Sequence, residues 1–136
     1  MNRLQDNKTI VVTGGLGFIG SHFIDRALAE GHTVVNIDKE TYAANKNLNF
    51  SGNYRHVKED IAELESLPYC DIIVNFAAES HVDNSIDSSM SFMMSNILGV
   101  YNMLEILKNK KVSNLMTAWE YDYPLFIQVS TDEVFG

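Results

Sequence analysis

Three stretches of this 136-residue chain carry side chains whose types and spacing suit chemistry. The first is VVTGGLGFIGS, residues 11–21, in which Gly14, Gly17 and Gly20 stand in a G-x-x-G-x-x-G spacing with Gly15 as an extra. A first glycine permits a tight turn, a second lets the backbone approach a pyrophosphate, and a third lets a helix pack closely on a sheet. An anion placed there meets unpaired N–H groups and the positive end of a helix dipole. The second stretch supplies Asp38, which follows Gly20 near the interval expected of the acid that binds a ribose 2′-hydroxyl. A carboxylate at that point accepts from a free hydroxyl and repels a 2′-phosphate, so NAD is expected in preference to NADP. Lys39, next in the chain, blunts that repulsion.

The third stretch is STDEVFG, residues 130–136, where Thr131, Asp132 and Glu133 follow the apolar run LFIQV. Two carboxylates suit an acid and a base, provided their surroundings push their pKa values apart. Neighbouring strand residues point to opposite faces, so both can meet one substrate only if the strand bends or ends at about Thr131. On residues alone, a solvated loop or a helix start with Thr131 as its cap fits equally well.

Positioning these groups requires particular elements. KTIVVT (8–13) runs straight into the glycines and reads as a buried strand, and FIGSHFIDRALAEG (18–31) as a helix. In that helix Ile19, Phe23, Ala27 and Leu28 recur at helical spacing, and Gly31 sits at its end. TVVNID (33–38), YRHVKED (54–60), DIIVNFAA (71–78) and PLFIQVS (124–130) read as further strands. IAELESL (61–67) reads as a short helix stopped at Pro68, and about 88–110 as a long helix with Met93, Ile97, Tyr101, Leu104 and Lys108 on one face. Apolar strands alternating with helices imply parallel strands covered on both sides. Right-handed crossovers then favour a doubly wound, Rossmann-type α/β sheet of order 3-2-1-4-5, with ligand outside the strands' carboxyl ends.

Length predicts a single domain over residues 1–136. At 46% hydrophobic and 21% charged, the composition is that of a packed fold and not of a disordered chain. A net charge of −8 disfavours nucleic acid and anionic membranes as partners. Cys70 is the only cysteine, which excludes an internal disulfide. His81 and Asp83 are spaced like a metal pair, but no third ligand is evident, and no metal is expected. Lacking an apolar signal segment or a membrane span, the chain is expected in the cytoplasm.

TGGLGFIGS, NIDKETYAAN, NFAAESHVDNSI, NILGVYNMLE and STDEVFG occur in this order. With them the chain resembles the extended short-chain dehydrogenases/reductases, and within these the nucleotide-sugar 4,6-dehydratases, typified by the dTDP-glucose enzymes. The resemblance runs over essentially the whole chain but only the first part of a family member. It implies a pyrophosphate turn at Gly14, Gly17, Phe18, Ile19 and Gly20, an adenine ribose among Asp38, Lys39 and Thr41, and an adenine ring at Asp60 and Ile61. Ala77, Ala78 and Glu79 would line the cofactor, Asn96 would brace the active-site strand beside it, and Ser80 and His81 would face the sugar. Thr131, Asp132 and Glu133 would be the catalytic group. In the family mechanism NAD oxidises carbon 4 of a nucleotide-bound hexose, dTDP-glucose in the first instance, before a base removes the carbon 5 proton. An acid then assists departure of the carbon 6 hydroxyl, and the hydride returns to carbon 6. The resemblance makes Glu133 the base and Asp132 the acid.

Asn84, Phe135 and Ala44 depart from the family's usual Arg, Tyr and Gly. The family's Y-x-x-x-K motif, further strands and substrate domain would follow Gly136. YAANK (42–46) lies beside the adenine ribose and does not replace that motif. The 136 residues alone are therefore expected to be catalytically inert, and a homodimer is expected from the long helix and the open edge of the fifth strand. A sugar-nucleotide epimerase of the same superfamily and a non-catalytic NAD-binding module are the alternatives.

Overall fold

The computed structural model describes residues 7–40, 50–76, 86–109 and 124–129, with 86–96 described by backbone alone. Strand β1 (Thr9–Thr13) leads into helix α1 (Phe18–Ala29), followed by β2 (Thr33–Ile37) and β3 (Tyr54–Val57). A 3-10 turn, Ile61–Glu63, precedes β4 (Ile72–Asn75), α2 (Ile86–Lys108) and β5 (Leu125–Gln128). All the pairings are parallel and the order is β3-β2-β1-β4-β5, as the alternation of apolar runs and helices implies. β1 lies at the centre, with Thr13 opposite both Ile37 of β2 and Asn75 of β4.

The pleat of β1 divides the core into two layers. Ile10 and Val12 pack with Val34 and Val74 against Ile24, Ala27 and Leu28 of α1. Val11, Val35, Ile37 and Ile73 face the other way, onto Met103, Ile106 and Leu107 of α2. A strand buried on both faces has no polar side to show, which is why these runs read as continuously apolar.

α1 ends because Gly31 takes φ +90°, a left-handed conformation that a Cβ would oppose. Its N–H donates to Leu28 O at 3.0 Å and that of His32 to Ala27 O at 3.1 Å, the paired bonds of a glycine-terminated helix. Of the positions expected on the buried face of α1, Ala27 and Leu28 are in the core and Phe23 packs against it, but Ile19 is not. Ile19 is 63% exposed, and Gly20, Ser21, Ile24, Ala27 and Leu28 face inward. Likewise Ile97, Tyr101 and Leu104 of α2 lie outward, while Gly99, Met103, Ile106 and Leu107 meet the sheet side. Both helices are apolar on more than one face, so periodicity alone could not choose between them.

Two further expectations need correction. β3 stops at Val57, three residues before the expected end, and Asp60 caps the next turn. The expected helix over 61–67 is only the 3-10 turn, after which Leu64 turns extended at ψ 140°. Pro68 disfavours helical backbone at Leu67, and the extended path lets Ile61, Leu64 and Leu67 all bury in the α2-side core. Among the described residues no helix is long and apolar enough to cross a membrane.

Candidate functional site

The turn between β1 and α1 is built by glycines with different tasks. Gly14 takes φ +73°, which an L side chain rarely tolerates. A Cβ on Gly20 would lie 2.6 Å from Gly14 O and 2.9 Å from Gly15 Cα, so this glycine lets the helix close on the turn. Gly15, which the sequence marked only as an extra, has no room either, because a Cβ would fall on Ile24 Cδ1 and the Asn36 amide. Gly17 is different. A Cβ there would meet only Gly14 O, at an ordinary 3.5 Å. The fold itself does not demand glycine at 17, and the open space before it suits a closely approaching ligand.

Gly17 is also the N-cap of α1, and no side chain caps this end. The first helical bond runs from Ser21 N–H to Gly17 O at 2.9 Å. The N–H groups of Phe18, Ile19 and Gly20 therefore precede the helical ladder. Together with the helix dipole they form an anion-binding end.

β2 pins the turn through three successive N–H groups. Gly14 donates to Ile37 O at 3.0 Å, Gly15 to Asn36 Oδ1 at 2.9 Å, and Leu16 to Asp38 Oδ2 at 3.0 Å. Asn36 and Asp38 stand two residues apart and so share one face of the chain. Asn36 is fully buried and Asp38 is 8% exposed. The other oxygen of Asp38 accepts from Glu40 N–H at 2.7 Å. A carboxylate has about four lone-pair sites, so Asp38 can hold both backbone groups and still accept from a ribose diol.

Beyond Asp38 the chain is turned by Glu40, a non-glycine residue at φ +59°. Its carboxylate lies 3.4 Å from Lys58 Nζ and 3.8 Å from His56 Nε2, both at the end of β3 or just past it. Lys58 and His56 thus flank the side chain of a residue whose backbone conformation costs on the order of 1 kcal/mol. Tyr54 accepts a hydrogen bond from Asn36 Nδ2 at 3.0 Å. Burial pushes the Tyr54 phenol pKa up, the Asn36 bond opposes this, and Asp38 and Glu40 add to it.

The switch point between β1 and β4 carries a second polar set. Thr13 Oγ1 donates to Asn75 Oδ1, and Asn75 Nδ2 donates to Gln128 Oε1 at 2.7 Å. This links the carboxyl ends of β1, β4 and β5 on the α2 side of the sheet. Asp60 Oδ1 accepts from Ala62 N–H at 3.0 Å. The Ile61 side chain is buried against α2, where a Cβ on Gly99 would meet its Cδ1 at 2.5 Å. The Ile61 carbonyl accepts from Asn102 Nδ2 at 2.8 Å.

Thus Gly14, Gly17, Phe18, Ile19, Gly20, Asp38 and Lys39 come together at one end of the sheet, with Asp60 and Ile61 following β3. Thr41, Ala77, Ala78, Glu79, Ser80, His81, Thr131, Asp132 and Glu133 lie outside the described residues, as do Ala44, Asn84 and Phe135. Asn96 lies on α2, where only the backbone is described. Among the described residues no group of three or more His, Cys, Asp or Glu could hold a metal ion. The sequence reading missed Asn36 and Asn75. Their signal was a lone amide inside each apolar strand, because a buried amide there must find partners.

Residues 11–136 match the family model described as GDP-mannose 4,6 dehydratase. The chain belongs to this family. Among curated members, the dTDP-glucose 4,6-dehydratase of Xanthomonas campestris pv. campestris (strain B100) is 40% identical over 140 residues, covering 94% of this chain and 39% of the relative. The chain therefore spans about two fifths of that relative's length. The crystal structure of dTDP-glucose 4,6-dehydratase from Bacillus anthracis, in complex with NAD, superposes with a TM-score of 0.67 at 32% identity, over 94% of this chain and 39% of that one. A UDP-glucose 4-epimerase from Thermotoga maritima gives a TM-score of 0.69 at 29% identity, over 90% of this chain and 38% of that one. Dehydratases and epimerases thus share this fold, and the extended short-chain dehydrogenase/reductase resemblance holds.

Proposed function

We propose that this chain is the NAD-binding part of a nucleotide-sugar 4,6-dehydratase acting on a nucleoside-diphosphate hexose, dTDP-glucose in the first instance. The observation that carries the reading is Asp38, 8% exposed at the end of β2 and bonded to the glycine turn through Leu16 N–H. A dinucleotide fits this frame. The N–H groups of Phe18, Ile19 and Gly20 bind its pyrophosphate and Gly17 leaves room for it. Asp38 accepts from the ribose hydroxyls and, with its negative charge, disfavours a 2′-phosphate. Lys39 and Thr41 flank that ribose, and Asp60 with the backbone of Ile61 meets the adenine.

When bound, NAD supplies a reversible hydride acceptor for the sugar. Ala77, Ala78 and Glu79 line its nicotinamide half, Asn96 braces the active-site strand, and Ser80, His81 and Thr131 bind and orient the hexose. Glu133 takes the carbon 5 proton, which a ketone at carbon 4 makes acidic, and Asp132 gives a proton to the hydroxyl leaving carbon 6. The two carboxylates therefore work in opposite protonation states on one substrate. The outward Ile97, Tyr101 and Leu104 of α2 suit the homodimer that its apolar face suggests.

The sheet does not separate a dehydratase from an epimerase, since both share it. The acid–base pair does, because an epimerase eliminates no water. The test joins this chain to the remaining residues of the Xanthomonas campestris enzyme and supplies dTDP-glucose. The expected product is the 4-keto-6-deoxy sugar, with Asp132→Asn and Glu133→Gln each lowering kcat by about 100-fold or more. Interconversion of the carbon 4 epimers without loss of water would refute the reading, as would unchanged turnover in both variants.

A further inference from the structure

Asn36 is a fully buried amide near the end of the apolar strand β2, and both of its ends are used. Its Oδ1 accepts from Gly15 N–H at 2.9 Å, and its Nδ2 donates to the Tyr54 hydroxyl at 3.0 Å. Gly15 has no room for a Cβ because this amide lies against it. A buried amide that loses a partner is left with an unsatisfied polar group, which is costly. Turned over, it would set its NH2 group against the Gly15 N–H, and neither donor could be satisfied. The Gly15 N–H, which can only donate, therefore sets Oδ1 toward the turn, and the Tyr54 hydroxyl accepts from the Nδ2 left on the other side. Tyr54 is held in turn by its ring contact with Phe50, centroids 4.6 Å apart, and by β3 pairing with β2.

Resting on the dinucleotide reading, we propose that Asn36 is a positioning residue for the pyrophosphate turn and that its bond to the Tyr54 hydroxyl anchors the amide there. The N–H groups that meet the phosphates begin three residues past Gly15, so a shift of the Gly15 peptide is passed directly to them. Gly14 supplies an internal reference, because its N–H is held by Ile37 O and owes nothing to Asn36.

The test compares the parent chain with Tyr54→Phe, Asn36→Leu and the double variant, reading amide hydrogen exchange at Gly15 relative to Gly14 and affinity for NAD and for adenosine. Tyr54→Phe keeps the ring and removes only the hydroxyl that anchors the amide. It is expected to speed Gly15 exchange about 5–10-fold relative to Gly14 and to weaken NAD about 5-fold, the size of one buried hydrogen bond. Adenosine, which has no phosphates, should change less than about 2-fold. Asn36→Leu should show the same pattern more strongly, and the double variant should match it, because Tyr54 acts through Asn36. Gly14 and Gly15 exchanging in step in Tyr54→Phe would overturn the assignment, as would NAD affinity unchanged while Gly15 is released. Should Asn36→Leu fail to fold, Tyr54→Phe carries the test alone. A parent chain that binds no NAD would sink the cofactor reading, while the Gly15-to-Gly14 ratio would still decide whether Asn36 holds the turn.

Discussion

Glycines 15, 17 and 20 look alike in the sequence, yet their surroundings separate them by role. A methyl on Gly20 meets backbone at 2.6 Å, and one on Gly15 meets Ile24 and the Asn36 amide. Gly15→Ala and Gly20→Ala should each cost about 1–3 kcal/mol in a denaturant melt, the range for overpacking a tight site. Gly17→Ala should unfold within about 0.5 kcal/mol of the parent, yet lose NAD affinity by about 10-fold or more as the methyl enters the phosphate's space. Loss of stability without loss of NAD in Gly17→Ala would reverse the roles. Much of this end was legible from spacing, since a glycine turn must follow a strand, open a helix and face an acid. Asn36 and Glu40 were not. One is a polar residue hidden in an apolar run, and the other takes φ +59° at a turn where its carboxylate meets Lys58 and His56 from further along the chain.

Elements follow the same division. The sheet order was readable because the central strands, covered on both faces, leave apolar runs and right-handed crossovers leave few topologies. β5, with Leu125 and Ile127 exposed, is not covered as expected. The 61–67 segment misled because Ile61, Leu64 and Leu67 stand at helical spacing, while burial of all three is achieved by an extended chain after one 3-10 turn. Ala27 and Leu28 marked the inner face of α1, but that of α2 was hidden, as this helix has apolar residues around much of its circumference. What the strands alone could not reveal is the tie across their ends through Thr13, Asn75 and Gln128. Thr13 and Asn75 are fully buried. Thr13→Val removes the hydroxyl and keeps the shape, and should destabilise by about 1–3 kcal/mol. A urea midpoint unchanged from the parent would show that this tie contributes nothing.

For the whole molecule, the α2-side core sets a dependence on pH. Cys70 is buried there, and burial pushes its thiol from 9.0 up to about 12, with Asp71 adding to the shift. The folded pKa is the higher one, so the unfolded chain loses its proton first as pH rises. This contribution is whole below about pH 9 and fades towards pH 12. Melting temperature should therefore fall more steeply over that window for the parent than for Cys70→Ala, and parallel curves would contradict it. Function at this scale rests on the frame that β2 makes for the glycine turn, with Asp38 at its end. Calorimetric titration of the chain with NAD and with NADP tests it most directly. One NAD per chain is expected, bound at least about 10-fold more tightly than NADP. Equal or tighter NADP binding, or no heat with either nucleotide, would contradict the account.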